Sequence, residues 1–590
     1  MTSNPPPPDP LYTEIVSTTQ RLFQVRPYEW QIQIIRDLVL SHRSNNKENM
    51  LVVRPTGGGK TLVYQVAGYM MKGITLFLSP LLALASDQTN KLRKTTRNHL
   101  DFVSLHLDDM EPSSIKEIAD DLTSWKEPNG SDCEIAVVLF TSPQLLVGNK
   151  GVPIMNTLLD KEKSILSMTV MDEVHLAAQF GSTFRDEFKS LKRNLYAKLP
   201  PCCKTNVFMT GTCTSSIRRT FQDLFGIQIN KTHWPMNDEM RHRSVGIKLY
   251  YSSAPMNIIK RLVDATMKGR TASNSKKIII YSNMRDKIIK IGQKTEDYLD
   301  TLEETFLIDL MMLHGHQTRK QKAAYLKLYV SQTMNLLHDV RILCATSGVA
   351  NAGIDSKNVH CALRTEFPPS IQDMCQEKGR VGRIPSATPD AFSYVICFDV
   401  ESFVVLLKRT LNPEAKMTQR FREDMLTDHI QVAKLFTSIN TCFNHFFETI
   451  LSNPDIHNNT PPELERCNHC PGCDNTLQNL YSRVGRDAAQ EILFAAYTSN
   501  AKYTVKALSN YFSEQDNLDQ HLFQRNRQKV PKHEIKRFIF QLIAWECLVP
   551  EYNAESKSIV FSASKQTSPA MFKFQSPSAW DNIPCTEIIG

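Results

Sequence analysis

The segment RPTGGGKT, residues 54 to 61, sets three consecutive glycines before a lysine and a threonine, the residue types that cradle a polyphosphate. Backbone N–H groups approach phosphate oxygens closely where side chains are small or absent, which suits the run Thr56, Gly57, Gly58 and Gly59. The Lys60 ammonium can pair with β and γ phosphates, and the Thr61 hydroxyl can ligate Mg2+. A strict phosphate-loop pattern has glycine where this chain has Arg54. Alone, the motif could be a glycine-rich turn without a ligand. A second element, DEVH at 172 to 175, weighs against that reading. Asp172 is the type of residue that holds Mg2+ through water, and Glu173 can act as general base on an attacking water, with His175 close behind. Such hydrolysis also needs positive charge at the γ-phosphate, for which QEKGRVGR at 376 to 383 offers Arg380 and Arg383.

These residues need a scaffold that gathers them. Between Leu22 and Phe225 short apolar runs (MLVVR at 50, ITLFLS at 74, FVSLH at 102, IAVVLF at 135, SMTVM at 167, NVFMT at 206) alternate with longer amphipathic stretches. That rhythm predicts a parallel sheet with helices on both faces, with the phosphate loop and the acidic pair at carboxyl ends of strands. A second series (GIKLYY at 246, KKIIIYS at 276, VRILCAT at 340, VHCAL at 359, AFSYVICF at 391) predicts a second such domain. The predicted class is α/β, with the boundary between the two near residues 226 to 243 and domains over 21–225 and 226–410. If Arg380 and Arg383 reach across from the second domain, closure on nucleotide would complete the site and opening would reset it. Residues 1–20, with four consecutive prolines, read as a disordered tail.

After about Leu411 the alternation gives way to helical spacing. Cys442, Cys467, Cys470 and Cys473 then form a C-x24-C-x2-C-x2-C pattern suited to structural Zn2+, within a helical module over 411–478. Disulfides or an iron–sulfur cluster are the other uses of four such thiols. In EIKRFIFQLIAWE, Ile535, Phe538, Ile539, Leu542 and Ile543 make one stripe, expected to face a core. A hairpin with a turn around Asn553–Ser556 follows, and the pairing suggests a winged helix over 479–590. A net charge of +8 is compatible with a polyanionic partner but does not demand one. No apolar run approaches the length of a membrane span, the N-terminus lacks the marks of a signal peptide, and the scattered cysteines suit a reducing, intracellular setting.

With these motifs in place, residues 22 to 590 resemble a superfamily 2 helicase, and within it the RecQ-type DNA helicases. VRPYEWQ at 25 to 31 resembles the element that reads adenine, with Gln31 as the contact. LSPLLALASDQ at 78 to 88, with Ser79 near the DNA strand, TSPQLL at 141, and MTGT at 209 to 212, with Thr210 and Thr212 as coupling residues, resemble further motifs. HLAAQFGSTFRDEF at 175 to 188 is similar to the family's aromatic-rich loop, which senses single-stranded DNA; Gln179, Phe180, Phe184 and Arg185 stand at its places. Phe180 replaces the family's tryptophan, and a phenyl ring can still stack on a base. LHGHQTR at 313 and ATSGVANAGID at 345 to 355 resemble the later motifs, with Thr346 toward phosphate and Asp355 toward nucleotide, in a stretch one residue longer than usual.

The resemblance implies an ATP-dependent DNA helicase moving 3′ to 5′, with ATP, Mg2+ and structural Zn2+ as cofactors and single-stranded and duplex DNA as partners. It further implies a role in DNA repair or recombination, nuclear if the source is eukaryotic. Tyr552, near the hairpin turn, is either a stacking residue for the terminal base pair or plain hairpin packing. No further nucleic-acid-binding domain is expected after Gly590. An RNA helicase and a nucleic-acid-binding scaffold with weak ATPase are the other readings; the aromatic loop and cysteine module speak against the first, and the presence of Lys60, Glu173 and Arg383 against the second.

Overall fold

The computed structural model describes the chain outside residues 1–8, 45–46, 56–57, 125–133, 180–184, 204, 236–244, 269–275, 303–307, 332–339, 348–355, 357–358, 384–390, 416, 439–440, 452–465, 475, 478–491, 493–495, 497–502, 515–523, 526–527, 530–531, 545, 547 and 564–590. The chain packs as two compact units that divide near residue 240.

The first unit holds a seven-stranded sheet: β1 (Glu48–Val53), β2 (Gly73–Leu78), β3 (Phe102–His106), β4 (Ala136–Thr141), β5 (Leu166–Met171), β6 (Thr205–Thr210) and β7 (Lys231–His233). Its order is β3-β4-β2-β5-β6-β1-β7, parallel throughout. Side chains alternate across each strand, so Leu51 and Val53 enter one apolar core while Met50 and Val52 enter another. A sheet with a core on each face needs helices on both sides, as the apolar runs predict.

Two expectations move. The tail predicted to run to residue 20 gives way to a helix, Pro10–Phe23, capped by Asp9, whose side chain accepts from Leu11 N at 3.1 Å. Proline at its first position and the buried stripe Leu11, Ile15 and Leu22 explain why this stretch is ordered. The first domain also runs past residue 225, because β7 pairs with β1 as an edge strand.

The second unit holds β8 (Gly246–Tyr251), β9 (Lys276–Ser282), β10 (Ile308–Leu313), β11 (Val340–Thr346), β12 (Val359–Arg364) and β13 (Ser393–Phe398), in the order β10-β11-β9-β12-β13-β8, again parallel. The helix Val400–Leu411 leads into the helices Gln419–Thr437 and Phe443–Leu451. Near the chain's end, the helices Val505–Glu514 and Lys532–Ala544 precede an antiparallel hairpin of Leu548–Asn553 with Ser558–Ala563. Ile535, Ile539, Leu542 and Ile543 are buried, as the stripe predicts, and so is Phe540; the side chain of Phe538, the stripe's fifth member, lies outside the described residues. Phe540 lies 5.8, 5.6 and 5.3 Å from the rings of Phe367, Phe398 and Phe403, so the helix is anchored on the second sheet's own aromatic core. Among the described residues no helix is long and apolar enough to cross a membrane.

Candidate nucleotide-hydrolysis and coupling site

The order β5-β6-β1 puts the phosphate loop after β1, the acidic pair after β5 and Thr210, last residue of β6, at neighbouring carboxyl ends. Gly59 adopts φ +88° just before the helix Lys60–Met71, and a Cβ there would lie 2.7 Å from Gln31 Nε2. Glycine is favoured there by the left-handed backbone, and any side chain would also have to displace the Gln31 amide. Lys60 Nζ donates to the carbonyls of Arg54 and Pro55 at 2.9 and 3.3 Å, a curled position from which it can turn to a phosphate. Gln31 is buried; its amide donates to Gly59 O at 2.9 Å and accepts from Tyr28 N at 2.8 Å. The residue expected to read the base is thus tied directly to the phosphate loop. Thr56 and Gly57 lie outside the described residues, while Gly58 and Thr61 are half-buried beside Lys60.

Burial, reinforced by adjacent Glu173, pushes the Asp172 carboxyl up to about 7, with Lys60 and a hydrogen bond from Gln88 opposing the rise. A buried acid held so high favours a cation beside it, and the oxygens of Asp172 and Thr61 are the hard donors Mg2+ takes. Gln88 in turn accepts from Tyr64 Oη at 2.7 Å, and burial keeps that phenol protonated. Tyr64 and Gln88 are site residues that motif reading passes over, although Gln88 closes the quoted LSPLLALASDQ stretch.

Glu173 stands at φ +49°, a left-handed conformation that a glutamate adopts only under constraint. Its carboxylate lies 3.3 Å from His175 Nδ1, which is also 2.9 Å from Thr210 Oγ1. Thr210 Oγ1 donates to Thr212 O at 2.8 Å, so its own proton is spent and it accepts from His175. That places the imidazole proton on Nδ1, directed at Thr210, with the Glu173 carboxylate 3.3 Å from the same nitrogen. The predicted coupling residues Thr210 and Thr212 are thus hydrogen-bonded to His175, whose ring lies 3.3 Å from the carboxylate of the predicted base. Ser79 is buried and its hydroxyl accepts from Leu81 N at 3.2 Å, fixing the turn before the helix Leu82–Thr95. TSPQLL is held by Asp108, whose carboxylate accepts from Ser142 N at 2.8 Å and Ser142 Oγ at 2.6 Å. In the aromatic loop, Phe180 and Phe184 lie outside the described residues; Gln179 ends the helix Val174–Gln179 and Arg185 begins the helix Arg185–Leu191.

In the second unit Thr346 ends β11, and Asp355 lies outside the described residues. Arg380 is buried, with its backbone N on Glu377 O at 3.1 Å, and Arg383 Nε donates to Gly379 O at 2.8 Å. The helix before them, Ile371–Lys378, is held by a buried ion pair that sequence reading missed. Arg364, fully buried at the end of β12, pairs with Glu377 and donates to Ser347 Oγ at 2.8 Å, while Tyr394 Oη donates to Glu377 at 2.8 Å. Nothing in VHCALR marks that arginine as buried, because its partner lies on another element.

Cys442, Cys467, Cys470 and Cys473 converge, their sulfurs all within 4.8 Å of one another and those of Cys467 and Cys473 3.9 Å apart. Tetrahedral Zn2+ with Zn–S near ~2.3 Å needs sulfurs about 3.8 Å apart, so the set fits the metal. Hydrogen bonds from Cys467 and Cys470 hold the Cys442 thiol well below its ordinary range, and burdened by that, Cys467 is pushed up to about 11. Thiols that compete this way for protons are eased by a cation among them. The loop joins the sheet through Ile247 N on His469 O at 2.9 Å. Buried Lys378 sits against Asn444, its ammonium pushed down to about 8 by burial. In the hairpin, Tyr552 is half-buried opposite Ile559.

Known proteins agree with this layout. Residues 28–220 match the DEAD/DEAH box helicase family and residues 256–385 the helicase conserved C-terminal domain. The chain is therefore built on the two-domain motor of superfamily 2 helicases. Among its relatives are the RecQ-like DNA helicase BLM of Xenopus laevis (24% identical over 341 residues, 57% of this chain and 22% of the relative) and the ATP-dependent DNA helicase Q-like 4B of Arabidopsis thaliana (25% over 388 residues, 63% and 30%). RecQ-like helicases recur among the relatives of this chain, which spans less than half the length of these two. Solved structures with a similar trace include the DEAD-box helicase Mss116 bound to ssRNA, at 14% identity and TM-score 0.48, over 74% of this chain and 86% of that one.

Proposed function

We propose that this chain is an ATP-dependent DNA helicase that couples hydrolysis to 3′-to-5′ movement along single-stranded DNA and so separates a duplex. The observation that carries this is the run of contacts Glu173–His175–Thr210–Thr212, which brings the ends of β5 and β6 together. It links the hydrolytic base to the motif that, by family likeness, answers to DNA. In this reading Lys60 leaves the carbonyls of Arg54 and Pro55 for the triphosphate, and Glu173 takes the proton of the attacking water. Mg2+, when bound through Thr61 and Asp172, supplies charge for the β and γ phosphates. Arg380 and Arg383 add positive charge for the transition state. Zn2+ on the four cysteines is structural, and the helices and hairpin after residue 503 serve as a winged helix that grips duplex DNA, with Tyr552 at its hairpin. Polarity, service in repair or recombination and a nuclear setting rest on the family alone.

The test is strand displacement on DNA and RNA duplexes bearing 3′ or 5′ tails, with Lys60→Ala as control. DNA unwinding from the 3′ tail alone, abolished in the control, is expected. Activity confined to RNA, or surviving Lys60→Ala, would sink the reading.

A further inference from the structure

Arg54 stands where a strict phosphate-loop pattern has glycine, and its surroundings give that substitution a use. The residue is only 5% exposed, and its guanidinium lies over the Trp30 ring, 4.7 Å from the centroid. Trp30 is the residue before Gln31, in the first turn of the helix Glu29–Arg43. Arg54 itself is pinned on three sides: its N donates to Thr210 O at 3.1 Å, its carbonyl accepts from Lys60 Nζ at 2.9 Å, and Nη1 donates to Val53 O at 3.1 Å. The first two contacts fix the Arg54 backbone and the third holds its guanidinium against Trp30, so it offers a flat cation to a flat ring, a role that lysine or methionine cannot fill in the same way.

Two bridges therefore join the segment Tyr28–Gln31 to the phosphate loop, one polar (Gln31 Nε2 to Gly59 O) and one a stacked cation on an aromatic face. Hydrogen-bond reading of a base fails when the reading amide drifts by a few tenths of an ångström to an ångström. The triphosphate needs no such register, since backbone N–H groups and Lys60 belong to the loop itself.

We propose that Arg54 is a positioning residue which, by stacking on Trp30, holds Gln31 in register with the phosphate loop and so confers preference for adenine among nucleoside triphosphates. The proposal rests on the nucleotide-binding part of the function above. It predicts that base preference and phosphate binding separate on mutation.

Calorimetric titration of the full chain with Mg2+ and either ATP, GTP or inorganic tripolyphosphate tests it, using wild type, Arg54→Met, Trp30→Leu and Trp30→Phe. ATP affinity should fall about tenfold in Arg54→Met and Trp30→Leu, the scale of a desolvated cation–π contact, while GTP and tripolyphosphate affinities hold. Trp30→Phe, which keeps a ring, should retain the preference for ATP. Should Arg54→Met fail to fold, the contrast between Trp30→Leu and Trp30→Phe decides by the same readout. Equal weakening of all three ligands, an unchanged ATP-to-GTP ratio in the variants, or a wild type that binds tripolyphosphate without preferring ATP would each overturn the proposal and leave the phosphate site standing. A wild type that binds none of the three removes the nucleotide-site reading and this proposal together.

Discussion

Replacing Thr210 by valine cuts the link between the hydrolytic base and the coupling motif with almost no change in shape. Thr210 is fully buried, so the new methyl group fills the space of the hydroxyl. Three contacts vanish: the acceptor for His175 at 2.9 Å, the donor to Thr212 O at 2.8 Å and the acceptor for Thr212 N at 3.3 Å. The last is long, and His175 keeps Glu173 at 3.3 Å, so about two net hydrogen bonds are lost, roughly 1–3 kcal/mol of stability at ~1 kcal/mol each. The functional consequence is sharper. With the link gone, His175 answers to Glu173 alone, and the stimulation of ATP hydrolysis by single-stranded DNA that the proposed function calls for in wild type should be lost. Steady-state ATPase with and without an oligonucleotide measures this as a ratio. The ratio should collapse toward one in Thr210→Val and recover in Thr210→Ser, which restores the hydroxyl. A Thr210→Val protein that is folded and stimulated by DNA as strongly as wild type would refute the coupling role of the chain.

Glu173→Gln should bind ATP normally yet turn over about 10²–10⁴-fold more slowly, the usual contribution of a general base; unaltered hydrolysis excludes Glu173 from that role. His429, buried between Pro369 O at 2.6 Å and Thr410 Oγ1 at 2.9 Å, is held neutral, its pKa lowered by burial from 6.5 to about 4. Its folded value is depressed, so its contribution is complete above about pH 6.5 and is lost as pH falls toward 4. At ~1.4 kcal/mol per unit the loss is about 3 kcal/mol. Thermal melts from pH 7 to 4 should show a shallower decline in His429→Gln than in wild type, and parallel curves would contradict the assignment. Metal analysis should find one zinc per chain, reduced in Cys470→Ser, and chelation should lower the melting temperature; a metal-free protein that melts as the wild type does argues against structural zinc.

Much of the site was legible because its parts are contiguous. A phosphate loop is made by neighbouring residues, so Gly58, Gly59, Lys60 and Thr61 declare themselves, as do Asp172 and Glu173 after an apolar strand. The four cysteines share a chemistry that spacing alone can suggest. Strands built on a sustained apolar run were legible, edge strands β3 and β8 included, whereas β7 (Lys231–His233) is three residues, KTH, with no apolar side chain, and β10 (Ile308–Leu313) is interrupted by Asp309, and both were missed. The helix Pro10–Phe23 was hidden by the prolines before it, although Asp9 and the Leu11, Ile15, Leu22 stripe were in view.

What lay beyond reach were the contacts between distant residues of ordinary type, the four cysteines apart. Tyr64 with Gln88 at Asp172, Asp108 beneath Ser142, Arg364 with Glu377 and Arg54 on Trp30 each join residues on different elements. Their types are ordinary, and only packing makes them partners. The chain from Glu173 to Thr212 shows the division most clearly. The sequence by itself determined that an acidic strand end and a threonine-bearing strand end exist. The strand order β5-β6-β1 decided that they touch, because parallel neighbours bring their carboxyl ends to the same edge of the sheet, where His175 and Thr210 meet although they stand 35 positions apart in the chain.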